Sequence, residues 1–363
     1  MQDEIIISVD AMGGDHYPAV PVHGAVLALQ NQDIPDHVFF ELIGREQCIR
    51  EALASQGRKW LNHPRLLVVN ATQVIETDES LNSARSKRNS SMHVGITRQT
   101  QGLSQAFVSA GNTGVLMALS TIKLKLVPGI TRPAMTAIIP TENGDCVQMD
   151  LGGSVDNIAE QLAQWAVMGS LYSKFVIGVD NPRIGLMNVG KEDGKGDKLR
   201  IEAFRFLMAL DEAGIINFAR NIEGDDILIG KTDVVVFDGF TANVQLKMIE
   251  SIIPRLENSL RKTLREGSRV QKLIAALALM LLKPTLKTIK AQFDYQRYNG
   301  APFLGLWGVS VKAHGKSTPL AFMYAIRRAY LMVEQDVTSK IRDNIGGIAD
   351  ILAKVRAQIE RER

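Results

Sequence analysis

The sequence predicts an α/β protein, a largely parallel β-sheet covered by helices on both faces. Three observations carry this. Short apolar runs alternate along the chain with helix-like segments. The runs lack strict apolar–polar alternation, which marks strands covered on both sides. Most of them end in turns rich in Gly, Asp and Asn, at the carboxyl edge where open α/β sheets bind ligands.

The strand runs lie at 5–9, 38–43, 66–69, 106–109, 135–139, 147–151, 184–189, 234–237 and 309–312. Helix-like segments lie at 18–30, 45–56, 91–101, 113–126, 157–173, 198–213, 241–265 and 318–335. Ser317-Thr318-Pro319 supplies an N-cap and then proline at the first helical position. The polar stretch 76–91 reads as a functional loop, and the chain beyond Asn243 as a helical excursion ending near residue 290. The expected organisation is one large catalytic domain over residues 1–340 and a helical tail over 341–363.

With 363 residues the chain can bury a large core. Its net charge of +3 is slight, and no basic run is interleaved with aromatics, so nucleic acid is a poor fit. Two cysteines, Cys48 and Cys146, exclude a disulfide framework and a Cys-rich zinc site. Both read as buried fillers. The six histidines show no metal-ligand spacing, so neither metal nor cofactor is expected. The chain opens directly on a strand, which fits a cytoplasmic enzyme without a signal peptide.

One segment is apolar on every face, residues 273–282. It is about half the ~20 residues that span a bilayer. Arg265, Arg269 and Lys272 precede it, and Lys283, Lys287 and Lys290 follow. It reads either as a buried or dimer-interface helix, or as an interfacial anchor. In the second case Leu273, Leu277 and Leu281 touch the membrane while the cations meet anionic lipid.

The turn Ser109-Ala110-Gly111-Asn112-Thr113-Gly114 joins an apolar strand to a helix. Gly111 and Gly114 let the backbone approach a ligand closely. The helix that follows presents free N–H groups and partial positive charge, which makes an anion site, most often for phosphate. Comparable turns stand at 10–16, 150–156, 188–190 and 238–243.

Together these turns resemble the ordered motifs of the PlsX-type phosphate acyltransferases over roughly residues 5–335. The motifs are Val9-Asp10-Ala11-Met12-Gly13-Gly14-Asp15-His16, Lys87-Arg88-Asn89-Ser90-Ser91-Met92, and the 109–114 turn. Next come Asn188-Val189-Gly190 with Lys195-Gly196, Asn221-Ile222-Glu223-Gly224, and Asp238-Gly239-Phe240-Thr241 with Asn243. Gly300-Ala301-Pro302-Phe303-Leu304-Gly305 and Lys312-Ala313-His314-Gly315 close the set. The chain departs from the family's usual residues at Gly153-Ser154, Lys191, Asp197, Ala242 and Asn299.

The resemblance implies a Rossmann-like, isocitrate dehydrogenase-like architecture and a homodimer. It implies an enzyme that makes acyl phosphate from long-chain acyl–acyl carrier protein and inorganic phosphate, feeding phospholipid synthesis. It also implies peripheral contact with the inner face of the cytoplasmic membrane, where a membrane acyltransferase would take the product. In this reaction phosphate attacks the thioester directly. The enzyme must hold a dianion, stabilise an oxyanion and see the thiolate protonated. Ser109, Gly111, Asn112, Thr113 and Gly114 are the expected phosphate ligands, with Arg85, Lys87, Ser90 and Ser91 closing over them. Lys195 is expected at the oxyanion or at phosphate, Asn243 at the carbonyl oxygen and His16 as a proton donor, with His314 a weaker candidate. Asp10 and Asp15 accept hydrogen bonds only, so they are expected to orient a donor. Arg255, Arg261, Lys262 and Arg265 are candidates for meeting the acidic carrier. Two other readings stand beside this one, a metal-using decarboxylating dehydrogenase of the same architecture and a non-catalytic membrane scaffold.

Overall fold

The computed structural model describes residues 4–154, 156–266 and 295–362, together with residues 272, 274, 278, 280–282 and 284. Eleven strands form one sheet among these residues. They are β1 (Ile5–Asp10), β2 (Val38–Gly44), β3 (Leu66–Asn70), β4 (Ala106–Ser109), β5 (Ala134–Thr141), β6 (Gly144–Met149), β7 (Arg183–Met187), β8 (Asn217–Ile222), β9 (Val234–Val236), β10 (Ala301–Leu304) and β11 (Val309–Lys312). Their order across the sheet is β3-β2-β1-β4-β11-β10-β5-β6-β9-β7-β8.

Two parallel blocks make up this order. The first is β3-β2-β1-β4-β11 and the second β6-β9-β7-β8. Between them β10 runs antiparallel to β11 and β5, and β5 antiparallel to β6. The blocks therefore point in opposite directions. Strand β5 serves both: Ala134 and Met135 pair with Leu304 and Phe303, and Thr136 to Thr141 pair with Met149 back to Gly144. Lys312, the last residue of β11, pairs with Ala301. The carboxyl ends of the two blocks thus meet at nearly the same level of β5, approaching from opposite sides. Ligand-type turns from both blocks face one junction.

Helices α1 (Ala19–Gln30), α2 (Glu46–Gln56), α3 (Leu81–Ser86), α4 (Ser91–Thr100) and α5 (Thr113–Leu124) belong to the first block. Helices α6 (Ala159–Tyr172), α7 (Lys198–Glu212) and α8 (Gly224–Ile229) belong to the second, and α9 (Gly239–Glu266) leaves it. Helix α10 (Pro319–Glu334) packs on α1, and α11 (Val337–Arg361) on α6 and α7. The expected proline start of α10 holds, with the Thr318 hydroxyl accepting from the Ala321 amide at 3.2 Å.

The segment expected as a tail from residue 341 belongs to a helix that begins at Val337. One stripe of it, including Ile341, Ile345, Ile348, Leu352 and Val355, is buried. That spacing is the apolar face of a packed helix. Two strands were not expected, β8 and β10. Strand β8, Asn-Phe-Ala-Arg-Asn-Ile, is polar because it is the sheet edge. Strand β10 carries Pro302, a residue that argues against a strand except where a ladder bond is dispensable.

Candidate active site

The first group of site residues gathers at the carboxyl ends of β1, β4 and β11. Asp10 closes β1 and is buried. Its Oδ2 accepts from the Ser109 hydroxyl at 2.6 Å and its Oδ1 from the Met12 amide at 3.0 Å. Ser91, at the start of α4, also hydrogen-bonds this carboxylate. Burial pushes the Asp10 carboxyl up, against the pull of those hydrogen bonds and the charge of Lys312. Ser109 in turn accepts the Gly111 amide at 3.0 Å. Gly13 lies against all of this. A Cβ there would stand 2.8 Å from Asp10 Oδ2 and 2.8 Å from the Gly111 nitrogen. Only glycine lets the two turns close on each other. The third turn joins through the Asp15 amide, which donates to the Gly315 carbonyl at 2.9 Å.

Helix α5 begins in this group. Asn112 caps it, its Oδ1 accepting from the Val115 amide at 3.1 Å. The amides of Thr113 and Gly114 then head the helix with no partner among the described residues, as do the first donors of any helix.

The second group lies at the carboxyl ends of β6, β9 and β7. Asp150 follows β6, with its Oδ1 accepting from the Met135 amide at 2.7 Å. Burial raises its carboxyl to about 6, although the amides of Met135, Gly153, Ser154 and Leu151 pull it down. Loop 151–154 lies directly on the start of α9. A Cβ on Gly239 would sit 2.0 Å from the Ser154 carbonyl oxygen, so no larger residue fits there. Asp238 caps α9, accepting from the Thr241 amide at 3.0 Å and the Thr241 hydroxyl at 2.6 Å. The Arg200 guanidinium pairs with Asp238, and with Asp197 at 2.7 Å. Burial raises the Asp238 carboxyl, but the Thr241 hydrogen bonds and Arg200 outweigh it and leave it below the ordinary carboxylate range. These residues, with Asn157, Ile158 and Phe240, line an open cleft of about 590 Å³.

The two groups touch. Met117 of α5 reaches Gly153, where an added Cβ would stand 2.4 Å from Met117 Cε. The helix that starts at the glycine turn of the first block therefore abuts the loop that lines the second.

The structure brings Asp10, Ser91, Ser109 and Gly111 together around one carboxylate, with Thr113 and Gly114 on the helix that follows. Several expected ligands are engaged elsewhere. The Asn112 amide group donates to the carbonyls of Thr77 at 2.8 Å and Glu79 at 3.2 Å. The Lys87 ammonium donates to Glu79 at 2.6 Å and to the Val74 carbonyl at 2.7 Å. Ser90 caps α4 through the His93 amide at 3.3 Å, and Arg85 is exposed on α3. His16 and Asp15 are exposed beside the first turn, as is His314 beside the third.

Lys195 is exposed in the loop after β7. Its backbone is fixed by Asn188, whose amide group donates to the Lys195 carbonyl at 3.0 Å. Asn243 lies within α9, which starts at Gly239 with Asp238 as cap, and it packs beside Gly152. Of the membrane-contact residues, Leu281 is exposed and Leu273 and Leu277 lie outside the described residues. Burial pushes the Cys146 thiol far up, the state of an inert filler.

Three residues of the site had little sequence signal. Arg200 gave only its i,i+3 spacing from Asp197. Asp150 stood out only as a turn residue. Lys312 opens a recognised motif but carries no expected role, yet its ammonium folds back onto the Ala110 carbonyl at 3.0 Å.

The family model described as "Fatty acid synthesis protein" matches residues 5–340. The phosphate acyltransferase of Bacillus licheniformis is 41% identical over 346 residues, covering 95% of this chain and 99% of that one. The phosphate acyltransferase of Bacillus subtilis is 38% identical over 341 residues, covering 93% and 97%. In architecture the chain is similar to a phosphotransacetylase from Streptococcus pyogenes, with a TM-score of 0.61, 14% identity and coverage of 91% and 94%. The chain belongs to the PlsX-type phosphate acyltransferase family and is an acyltransferase of lipid synthesis.

Proposed function

We propose that the enzyme makes acyl phosphate from a long-chain acyl–acyl carrier protein and inorganic phosphate, by direct attack on the thioester, for phosphatidic acid synthesis. The observation that carries this is the junction of the two groups. A glycine turn with the open amides of Thr113 and Gly114 heads a helix, and that helix abuts Gly153, a few residues before Asp156, Asn157 and Ile158 of an open cleft.

In this reading phosphate sits on the Thr113 and Gly114 amides and the Thr113 hydroxyl, at the positive end of α5. Gly111 and Gly13 leave room for the backbone, and Asp10 holds Ser91 and Ser109 in place. Ser90 and Asn112 serve by capping α4 and α5, and Lys87 and Arg85 by ordering and charging the rim. The thioester enters along the cleft walled by Ile158 and Phe240. A phosphate oxygen bonds to the carbonyl carbon, and the carbonyl oxygen takes up negative charge near Lys195 and Asn243. The C–S bond then breaks, and the thiolate takes a proton from His16 or water. Neither cysteine stands in a ligand-type turn, and the buried Cys146 thiol is held protonated, which favours direct attack over a covalent intermediate.

The exposed cations Arg255 and Lys262 on α9 suit the acidic carrier. The same helix carries exposed Phe240, Val244, Met248 and Ile252 at every fourth position, a stripe suited to a second subunit. Beyond it Ile274, Met280, Leu281 and Leu282 are exposed and apolar, suited to peripheral contact with the inner face of the cytoplasmic membrane. Among the described residues no helix is long and apolar enough to cross a membrane.

The test is the rate at which acyl–acyl carrier protein releases its thiol as radiolabelled phosphate is varied, with labelled acyl phosphate trapped by organic extraction. Release that saturates with phosphate and matches trapped product one to one is expected. Release that ignores phosphate overturns the reading.

A further inference from the structure

We propose that Lys312 is a positioning residue of the phosphate seat, orienting the Ala110–Gly111 peptide and offsetting the charge of Asp10. This rests on the reading that phosphate binds at the 109–114 turn.

The geometry starts from register. Lys312 ends β11 directly beside Ser109, which ends β4. Its Nζ donates to the carbonyl of Ala110 at 3.0 Å and also to that of Ala313. The C=O and N–H of a trans peptide point in opposite directions. Holding the Ala110 carbonyl toward Lys312 therefore turns the Gly111 N–H the other way, onto Ser109 Oγ at 3.0 Å. With that oxygen occupied as an acceptor, the Ser109 proton goes to Asp10 Oδ2 at 2.6 Å. One ammonium thus fixes a relay of three groups beneath the seat. An ammonium has three donors. The third has no protein partner among the described residues.

The charge matters as much as the donors. Asp10 is buried and acceptor-only when ionised, a poor neighbour for a dianion. Lys312 is the charged group coupled to it, and the exposed Asp15 is coupled in turn to Lys312. Burial brings the Lys312 ammonium down to about 8, against the pull of Asp10 and Asp15. The relay therefore loses its cation as pH rises past that value, a range in which inorganic phosphate is already a dianion.

The experiment is calorimetric binding of inorganic phosphate to the full chain and to Lys312→Met, Asp10→Asn, the double variant and Gly111→Val. Lys312→Met should weaken phosphate about tenfold or more at neutral pH. Adding Asp10→Asn should recover much of that loss, which a merely structural lysine would not allow. The parent's affinity should fall from about pH 7 to about 9.5, and that of Lys312→Met should not. The parent's profile needs no variant, so it stands even if Lys312→Met fails to fold. A flat parent profile, or a folded Lys312→Met within about twofold of the parent while Gly111→Val abolishes binding, overturns the inference alone. Phosphate binding untouched by Gly111→Val overturns the underlying reading instead.

Discussion

Ser109 and Asp10, separated by 99 positions, are joined by a 2.6 Å hydrogen bond from the Ser109 hydroxyl to Asp10 Oδ2. The bond ties the carboxyl end of β4 to that of β1. Because Ser109 also accepts the Gly111 amide, the turn before α5 takes its shape from a carboxylate on another strand. Asp10 acts here through the groups it orients.

The first prediction tests that closure. Gly13→Ala places a Cβ 2.8 Å from both Asp10 Oδ2 and the Gly111 nitrogen. Overpacking of this kind costs about 1–3 kcal/mol. We expect a folded protein whose kcat/KM for phosphate falls roughly 10- to 100-fold, with KM for the acyl donor little changed. Parental phosphate kinetics would show that the two turns need not touch.

A second prediction concerns pH and stability. The Asp150 carboxyl stands at about 6 in the folded chain against 3.8 ordinarily. As pH rises, the unfolded chain releases this proton first and the folded chain later. Asp150 thus favours folding at low pH, and that contribution is lost between about pH 4 and 6. The loss is on the order of 3 kcal/mol. Urea unfolding of the parent and Asp150→Asn at several pH values should show the parent losing stability relative to the variant across this window. Parallel curves would contradict the assignment.

The contrast between Lys312 and the 109–114 turn shows what the sequence made legible. The turn could be read because glycines, a cap and an apolar strand are local signals. Strands such as β1, β4 and β9 could be read because burial on both faces leaves an apolar run. Strands β8 and β10 could not, since an edge position and Pro302 hide the pattern. Lys312 and Asp150 stand in motifs and Arg200 does not, but all three take their roles from partners distant in the chain, and one sequence carries no trace of those contacts. Asn112 had local reasons to be expected at phosphate, yet its side chain is spent on the Val115 amide and the carbonyls of Thr77 and Glu79.

Lys195 supplies the third prediction. Its backbone is pinned by Asn188 while its side chain is exposed in the loop after β7. Charge building on the thioester oxygen should meet this ammonium in the transition state. Lys195→Met should lower kcat about 10²- to 10³-fold with KM values within a few-fold. Stopped-flow thiol release would check it, and a kcat near the parent's removes Lys195 from the chemistry.

The fourth prediction concerns the lipid surface. Ile274 and Leu281 are exposed by 62% and 73%. Changing both to Glu should abolish flotation with anionic vesicles and leave activity on the soluble acyl donor within about twofold, because burial in the acyl boundary is the driving force removed. Flotation that survives the change contradicts membrane contact here.

The most direct measurement of the central claim is the phosphate dependence of thiol release by Gly111→Val. A Cβ at Gly111 would lie 3.0 Å from Met92 Cε and 3.2 Å from Ser109 Oγ, so valine crowds the turn. If phosphate attacks from this seat, a variant with the parent's melting curve should show no saturable phosphate-dependent release. A folded Gly111→Val enzyme with the parent's kcat and phosphate KM would place the chemistry elsewhere.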